Sequence, residues 1–336
     1  MTESWLAAPF ARFVGALHSD RLAHAWLIGG PAGLGKRALA ERIVGTVLCQ
    51  KRNADGDACG QCRGCHLRRA GTHPDLYRVG LELNDRGSSR AEIVIEQVRT
   101  LCERLHQTSH AGGRRVALID PADALNLSSV NALLKTLEEP PPAVVMLLIA
   151  DQPARLLPTL RSRCQRLDVR IPHAREALDW LGTQKIAEAA ARRALALAAG
   201  NPGEALMIAR NEVLVGNVLD DLLALRGHGR GRLTLASEIA RRWSGDELLR
   251  SRLDIVLQLL RVATAALLSG SDPGDSRISR LTEGLEVAQF SERFDQLGRL
   301  RARLPAPLRH ELLLLDWLRQ WMPATLVERY AHLRES

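Results

Sequence analysis

A chain of 336 residues, 46% hydrophobic, 25% charged and only 4% aromatic, is globular and too long for one ordinary core. That composition excludes disordered and fibrous classes, and the densest apolar run near the C-terminus, 312–315, is broken by Asp316, far short of a membrane span. Three compact units are expected, with no membrane partner.

The opening stretch MTESWLAAPFARFV has no basic region followed by an apolar run, so no export signal is read there and a cytoplasmic location is expected. From residue 25 to 168 apolar runs alternate with helical stripes. Strands are predicted at 25–30, 75–79, 114–120, 144–150 and 165–169, with helices at about 35–48, 95–108, 128–139 and 154–163 between them. This βαβ rhythm implies an α/β unit over residues 1–170, built on a parallel sheet covered on both faces. In SSVNALLKTLEE, Val130, Leu133, Leu134 and Leu137 share one helix face, and Pro140, Pro141 and Pro142 end the helix.

Beyond residue 171 strand signals vanish. The Ala-rich stretch AEAAARRALALAAGNPGEAL reads as short helices joined by a turn at 200–203, a small helical unit over 171–209. Longer amphipathic helices, including 246–268 and 307–322 with the loop 269–275 between the two groups, make an all-α unit over 210–336. The net charge of +8, from 46 Lys and Arg against 38 acids, leaves room for a polyanionic neighbour such as DNA. The arginines are scattered in pairs, which a solvated surface also explains.

In GGPAGLGKRAL, Gly30, Gly35 and Lys36 match GxxxxGK between a predicted strand and a predicted helix. Bare glycine backbone and helix N-terminal amides there present N–H groups to phosphate, and Lys36 adds charge. The position after the lysine ordinarily gives magnesium a hydroxyl, and here it is Arg37. The apolar strand VALID supplies an acid, Asp120, but Pro121 stands where a hydrolytic site of the AAA+ type has glutamate. The phosphate loop is therefore read as degenerate, with ATP binding weak or absent and no catalytic site of the chain's own.

Cys59, Cys62 and Cys65 form CxxCxxC, with Cys49 a short loop upstream. Four thiolates on short loops close a tetrahedron around a structural Zn2+, with glycines 56, 60 and 64 turning the chain between ligands. An iron–sulfur cluster and unrelated free thiols are the alternatives. His66 is read as a bystander, Cys102 as core and Cys164 as packing.

The phosphate-loop helix, the four-cysteine insert, THPD, NALLKTLEEPP and LRSRC together resemble the AAA+ clamp-loader subunits of bacterial DNA polymerase III, specifically over residues 20–170 and architecturally beyond. The resemblance implies a helical lid over 171–209 and a helical collar over 210–336. It implies a hetero-pentamer with gamma/tau and delta subunits that handles a sliding clamp and primer-template DNA. Among such subunits a degraded nucleotide site marks a non-motor member, and the lid arginine that touches nucleotide in the motors aligns with Gly203. The resemblance also maps an arginine finger, acting on a neighbour's ATP, to Arg163. The plain alternative is that Arg163, like Arg161 and Arg166, solvates a helix end. An ATP-hydrolysing gamma/tau-type motor is the competing function, and it calls for Ser or Thr at 37 and Glu at 121. A recombination ATPase would carry its zinc module before the phosphate loop. A nucleotide kinase would want separated CxxC pairs.

Overall fold

In the computed structural model, the described residues are 3–19, 21–82, 92–227, 232–245, 247–270, 275–304 and 309–322. They form two compact units, residues 1–172 and 173–336.

The first unit is a five-stranded, wholly parallel sheet: β1 (Ala25–Gly29), β2 (Leu76–Gly80), β3 (Arg115–Asp120), β4 (Val144–Ala150) and β5 (Gln165–Asp168), in the order β2-β3-β4-β1-β5. All five predicted strands are present, displaced by a residue at most at either end. Strands β1 and β4 are buried along their whole length, because parallel strands need crossovers and the crossover helices cover both faces. Alternate side chains then fall into two cores. Trp26, Ile28, Leu118 and Leu147 face α1 (Ala7–His18) and α2 (Lys36–Leu48), meeting Phe13, Leu39 and Ile43. Leu27, Ile119, Met146 and Leu148 face the other layer, with Val98 and Leu101, Leu133 and Leu137, and Leu160. Those last residues lie on α4 (Ile95–His106), α5 (Leu127–Glu138) and α6 (Pro158–Ser162). Between α2 and β2 the cysteine insert carries a short helix, α3 (Arg63–Arg69).

Asn126 caps α5, its Oδ1 accepting from the Ser129 amide at 2.9 Å. The buried Ser129 hydroxyl donates to the Ile93 carbonyl at 2.8 Å, so this helix starts at a fixed point beside the end of β3.

The second unit is all helical: α7 (Ala174–Thr183), α8 (Glu188–Leu197), α9 (Pro202–Arg210), α10 (Glu212–Arg226), α11 (Arg232–Ser244), α12 (Leu249–Ser269), α13 (Ser276–Thr282), α14 (Val287–Arg303) and α15 (His310–Arg319). The turn read at 200–203 is sharp. Asn201 caps α9, accepting from the Gly203 amide at 3.1 Å, and Gly200 takes a positive φ of 83°. One apolar cluster runs from Ala177 to Met322 through this unit. Two of its indoles are matched inside it: that of Trp243 donates to Asp221 at 2.9 Å, and that of Trp317 to the Arg293 carbonyl at 3.1 Å. Among the described residues no helix is long and apolar enough to cross a membrane.

Candidate functional site

The glycine loop follows β1 at the carboxyl edge of the sheet, where ligands bind in open α/β folds. Its glycines are obligatory. A Cβ on Gly30 would lie 2.1 Å from the Val169 carbonyl oxygen, and Gly35 takes φ +78° at the start of α2. The cradle is therefore formed, but its charges are already occupied. Lys36, only 2% exposed, donates to the Pro31 carbonyl at 2.6 Å and forms an ion pair with Asp151 at 2.5 Å. Arg37 grips Asp120 with both arms of its fork, Nε to Oδ2 and Nη2 to Oδ1 at 2.8 Å each, and reaches Asp151 at 3.4 Å.

Burial opposes charge on Arg37, but hydrogen bonding to Asp120 and the charges of Asp120 and Asp151 outweigh it and raise its pKa. A permanent guanidinium thus sits on the acid that a magnesium ion would need. The donor set does not fit a metal–nucleotide: its carboxylate is taken by an internal cation, the hydroxyl ligand is replaced by Arg37, and Pro121 offers no base. Gly203, expected in place of a nucleotide-contacting arginine, lies in the first turn of α9.

The four cysteines do converge. The Sγ atoms of Cys49, Cys59, Cys62 and Cys65 all lie within 4.8 Å of one another. Two pairs, Cys49–Cys62 at 3.8 Å and Cys59–Cys65 at 4.0 Å, match the roughly 3.8 Å edge of a tetrahedron with Zn–S bonds of about 2.3 Å. Backbone amides point at the sulfurs, Cys59 N–H at Cys49 Sγ (3.3 Å) and Cys62 N–H at Cys59 Sγ (3.4 Å), which favours thiolate over thiol. Burial works against ionisation of Cys62, but the amides of Cys65 and Gln50 and the neighbouring thiols outweigh it and bring its pKa down to about 6. Cys65, buried against the other sulfurs, is pushed up to about 12. Four sulfurs this close can all carry negative charge only around a cation. The residues fit a closed zinc site with no open coordination position. His66 is exposed. Cys164 is buried in the apolar layer beside Leu160, its thiol raised to about 12 by burial, and Cys102 packs against the same layer.

Arg163 caps the end of α6. One arm donates to the Thr159 carbonyl at 2.9 Å, and the other pairs with Glu138, at the end of α5, at 2.6 Å. Its side chain is 35% exposed, open to a neighbour. Asp151 and Glu138 are the partners that sequence reasoning missed as such. Each is joined to its cation only by the fold.

A parallel sheet of this order with a glycine loop after β1, a four-cysteine insert and helical extensions defines an AAA+-like protein. A family model described as DNA polymerase III, delta subunit, matches residues 6–173, half of the chain. The chain belongs to this delta and delta-prime clamp-loader family. DNA polymerase III subunit delta' of Pseudomonas aeruginosa is 46% identical over 209 residues, covering 62% of this chain and 57% of that protein. The Escherichia coli subunit of the same name is 37% identical over 205 residues, covering 61% and 60%. The matches thus span less than two thirds of these relatives' length. A gamma subunit-related protein of DNA polymerase III from Thermotoga maritima superposes with a TM-score of 0.43 at 18% identity, over 92% of this chain and 98% of that one, a distant likeness only.

Proposed function

We propose that the chain is a non-motor subunit of the DNA polymerase III clamp loader, helping to place a sliding clamp on primed DNA and supplying Arg163 to the ATP of a neighbouring motor subunit. The observation that carries this reading is the Arg37 guanidinium seated on Asp120 and Asp151, which supports a cradle kept for its fold rather than for hydrolysis. The relatives named delta' agree with it. In this reading gamma/tau and delta are the partners, residues 171–209 act as lid and 210–336 as collar, and the cysteines hold zinc for structure. The test is reconstitution: the purified chain is mixed with motor and delta subunits and DNA-stimulated ATP turnover is measured. Turnover and clamp loading that need this chain support the reading, while ATP hydrolysis by the chain alone, lost in Lys36→Ala, makes it a motor instead.

Two expectations follow from the geometry. Arg37→Thr frees Asp120 and supplies the missing hydroxyl, so magnesium-dependent binding of a fluorescent ATP analogue is expected to tighten by about tenfold, the worth of one charge-assisted pair. Hydrolysis stays at the buffer rate because Pro121 is unchanged. No gain in magnesium-dependent affinity would show that Arg37 is not what closes the site. A chain cut after Pro172, at the boundary of the first unit, is expected to keep its zinc but to fail to join the complex in gel filtration. Full-affinity incorporation of that fragment would move the assembly surface out of the helical unit.

A further inference from the structure

The THPD stretch at 72–75 takes no part in the phosphate loop, the finger or the metal ligands. Asp75 is fully buried and its carboxylate is saturated, accepting from the His110 amide at 2.8 Å, the Ala111 amide at 2.9 Å and the Ser109 hydroxyl at 3.0 Å. It therefore pins the loop 107–114 in place beside the cysteine insert. Between that loop and the insert lies a cleft of about 690 Å3.

Arg52 and Arg63 of the insert and Arg114 of the loop line this cleft, and Asp75 is the one carboxylate among its lining residues. Several other arginines of this unit have acid partners: Arg42 pairs with Asp57, and Arg68 and Arg78 with Glu41. Arg63 and Arg114 have no acid partner among the described residues. His73, 6% exposed, adds an aimed donor. The Asp75 amide donates to its Nδ1 at 3.2 Å, which fixes the tautomer with hydrogen on Nε2, and that N–H has no protein partner among the described residues. Gly113 leaves bare backbone at the rim although the fold does not require it, since a Cβ there would meet nothing within 4 Å and its φ is ordinary.

We propose that this cleft binds the phosphodiester backbone of a DNA strand. Arginines from both the insert and the loop, a free imidazole N–H among the lining residues and no open carboxylate suit phosphate oxygens. The volume exceeds what one free phosphate fills. The site is separate from the phosphate loop and the finger, and stands or falls apart from the reading of either.

The test is a fluorescence-anisotropy titration of a short labelled single-stranded oligonucleotide with the full zinc-loaded chain, repeated between about 50 and 200 mM salt. The double variant Arg63→Ala with Arg114→Ala is expected to bind roughly tenfold more weakly at the low-salt end. Its dependence of log K on log salt is expected to be shallower by about 1.4, two lost contacts at about 0.7 each. The pair Arg12→Ala with Arg99→Ala removes equal charge elsewhere and keeps the wild-type slope. Gly113→Leu removes no charge and weakens binding by obstruction. Unchanged zinc content and melting temperature in each variant separate these effects from misfolding. The proposal is overturned by equal affinity and slope in wild type and the double variant, by no binding of the oligonucleotide at low salt, or by a cleft that takes inorganic phosphate or an acidic peptide but not DNA.

Discussion

Cys62→Ser is expected to leave the protein without zinc and to loosen the first unit. A serine hydroxyl does not give up its proton to a metal near neutral pH as a thiol does, and three thiolates leave a coordination position open. Zinc affinity is expected to fall by more than about a hundredfold, beyond the upper end of what losing a group behind a ligand costs. Apart from the metal, the insert is held by polar contacts, among them the Arg42–Asp57 pair and the Arg52 hydrogen bond to the Thr46 carbonyl at 2.8 Å. Its buried residues are few: Cys49, Cys65, Gly56 against Val14, and Gly64, where a Cβ would lie 2.4 Å from the Leu48 carbonyl oxygen. Metal content by elemental analysis and the melting temperature of the first unit give the two readouts. Wild-type protein purified without chelator and found free of zinc would remove the metal from the account. A Cys62→Ser protein that keeps stoichiometric zinc would reassign the ligands, with the neighbouring His66 the first replacement to test.

The middle of the sheet was legible because β1, β3 and β4 are buried on both faces. Runs such as VVMLLIA carry no polar residue to break them, and the glycine and proline punctuation around them is local. The cysteine cluster was legible for a similar reason, since its ligands lie within a short stretch of chain. Other features are set by contacts that leave no local pattern. Helix α1 had been read only for its lack of an export signal, yet Phe10 and Phe13 sit beneath the sheet, Phe13 edge-on to Trp26 at 5.1 Å. The short helix α3 was hidden by the glycines and cysteines around it. Asp151 follows an apolar strand with nothing to mark it, and only the parallel register of β4 beside β1 brings it to the lysine and arginine of the glycine loop. The change at residue 37 was visible in the sequence as a missing hydroxyl, whereas the structure gives it a positive content: the replacing side chain neutralises Asp120, the acid that a metal would need.

Arg163→Ala is expected to matter only in company. Within the isolated chain it breaks one partly exposed pair with Glu138, so stability changes by no more than about 1 kcal/mol, and zinc content and assembly are unchanged. In the reconstituted complex the same change removes a guanidinium that, in this reading, reaches the γ-phosphate of an adjacent motor. Loss of such a group slows a single site by roughly a thousandfold or more. Steady-state turnover falls less, because sites served by other fingers continue. Lys at 163 is expected to rescue poorly, for an ammonium lacks the planar fork that spans two phosphate oxygens. Glu138 makes the experiment sharper. It holds the guanidinium at 2.6 Å in the free chain, so a finger must leave that carboxylate, or share it, to meet a phosphate. Glu138→Gln keeps the shape of α5 while weakening the hold, and is expected to leave turnover at or above the wild-type level. If Arg163 were only a helix-end cap, Arg163→Ala, Arg163→Lys and the control Arg161→Ala would all give wild-type turnover at saturating DNA and clamp, and the chain would be a structural member of the ring alone.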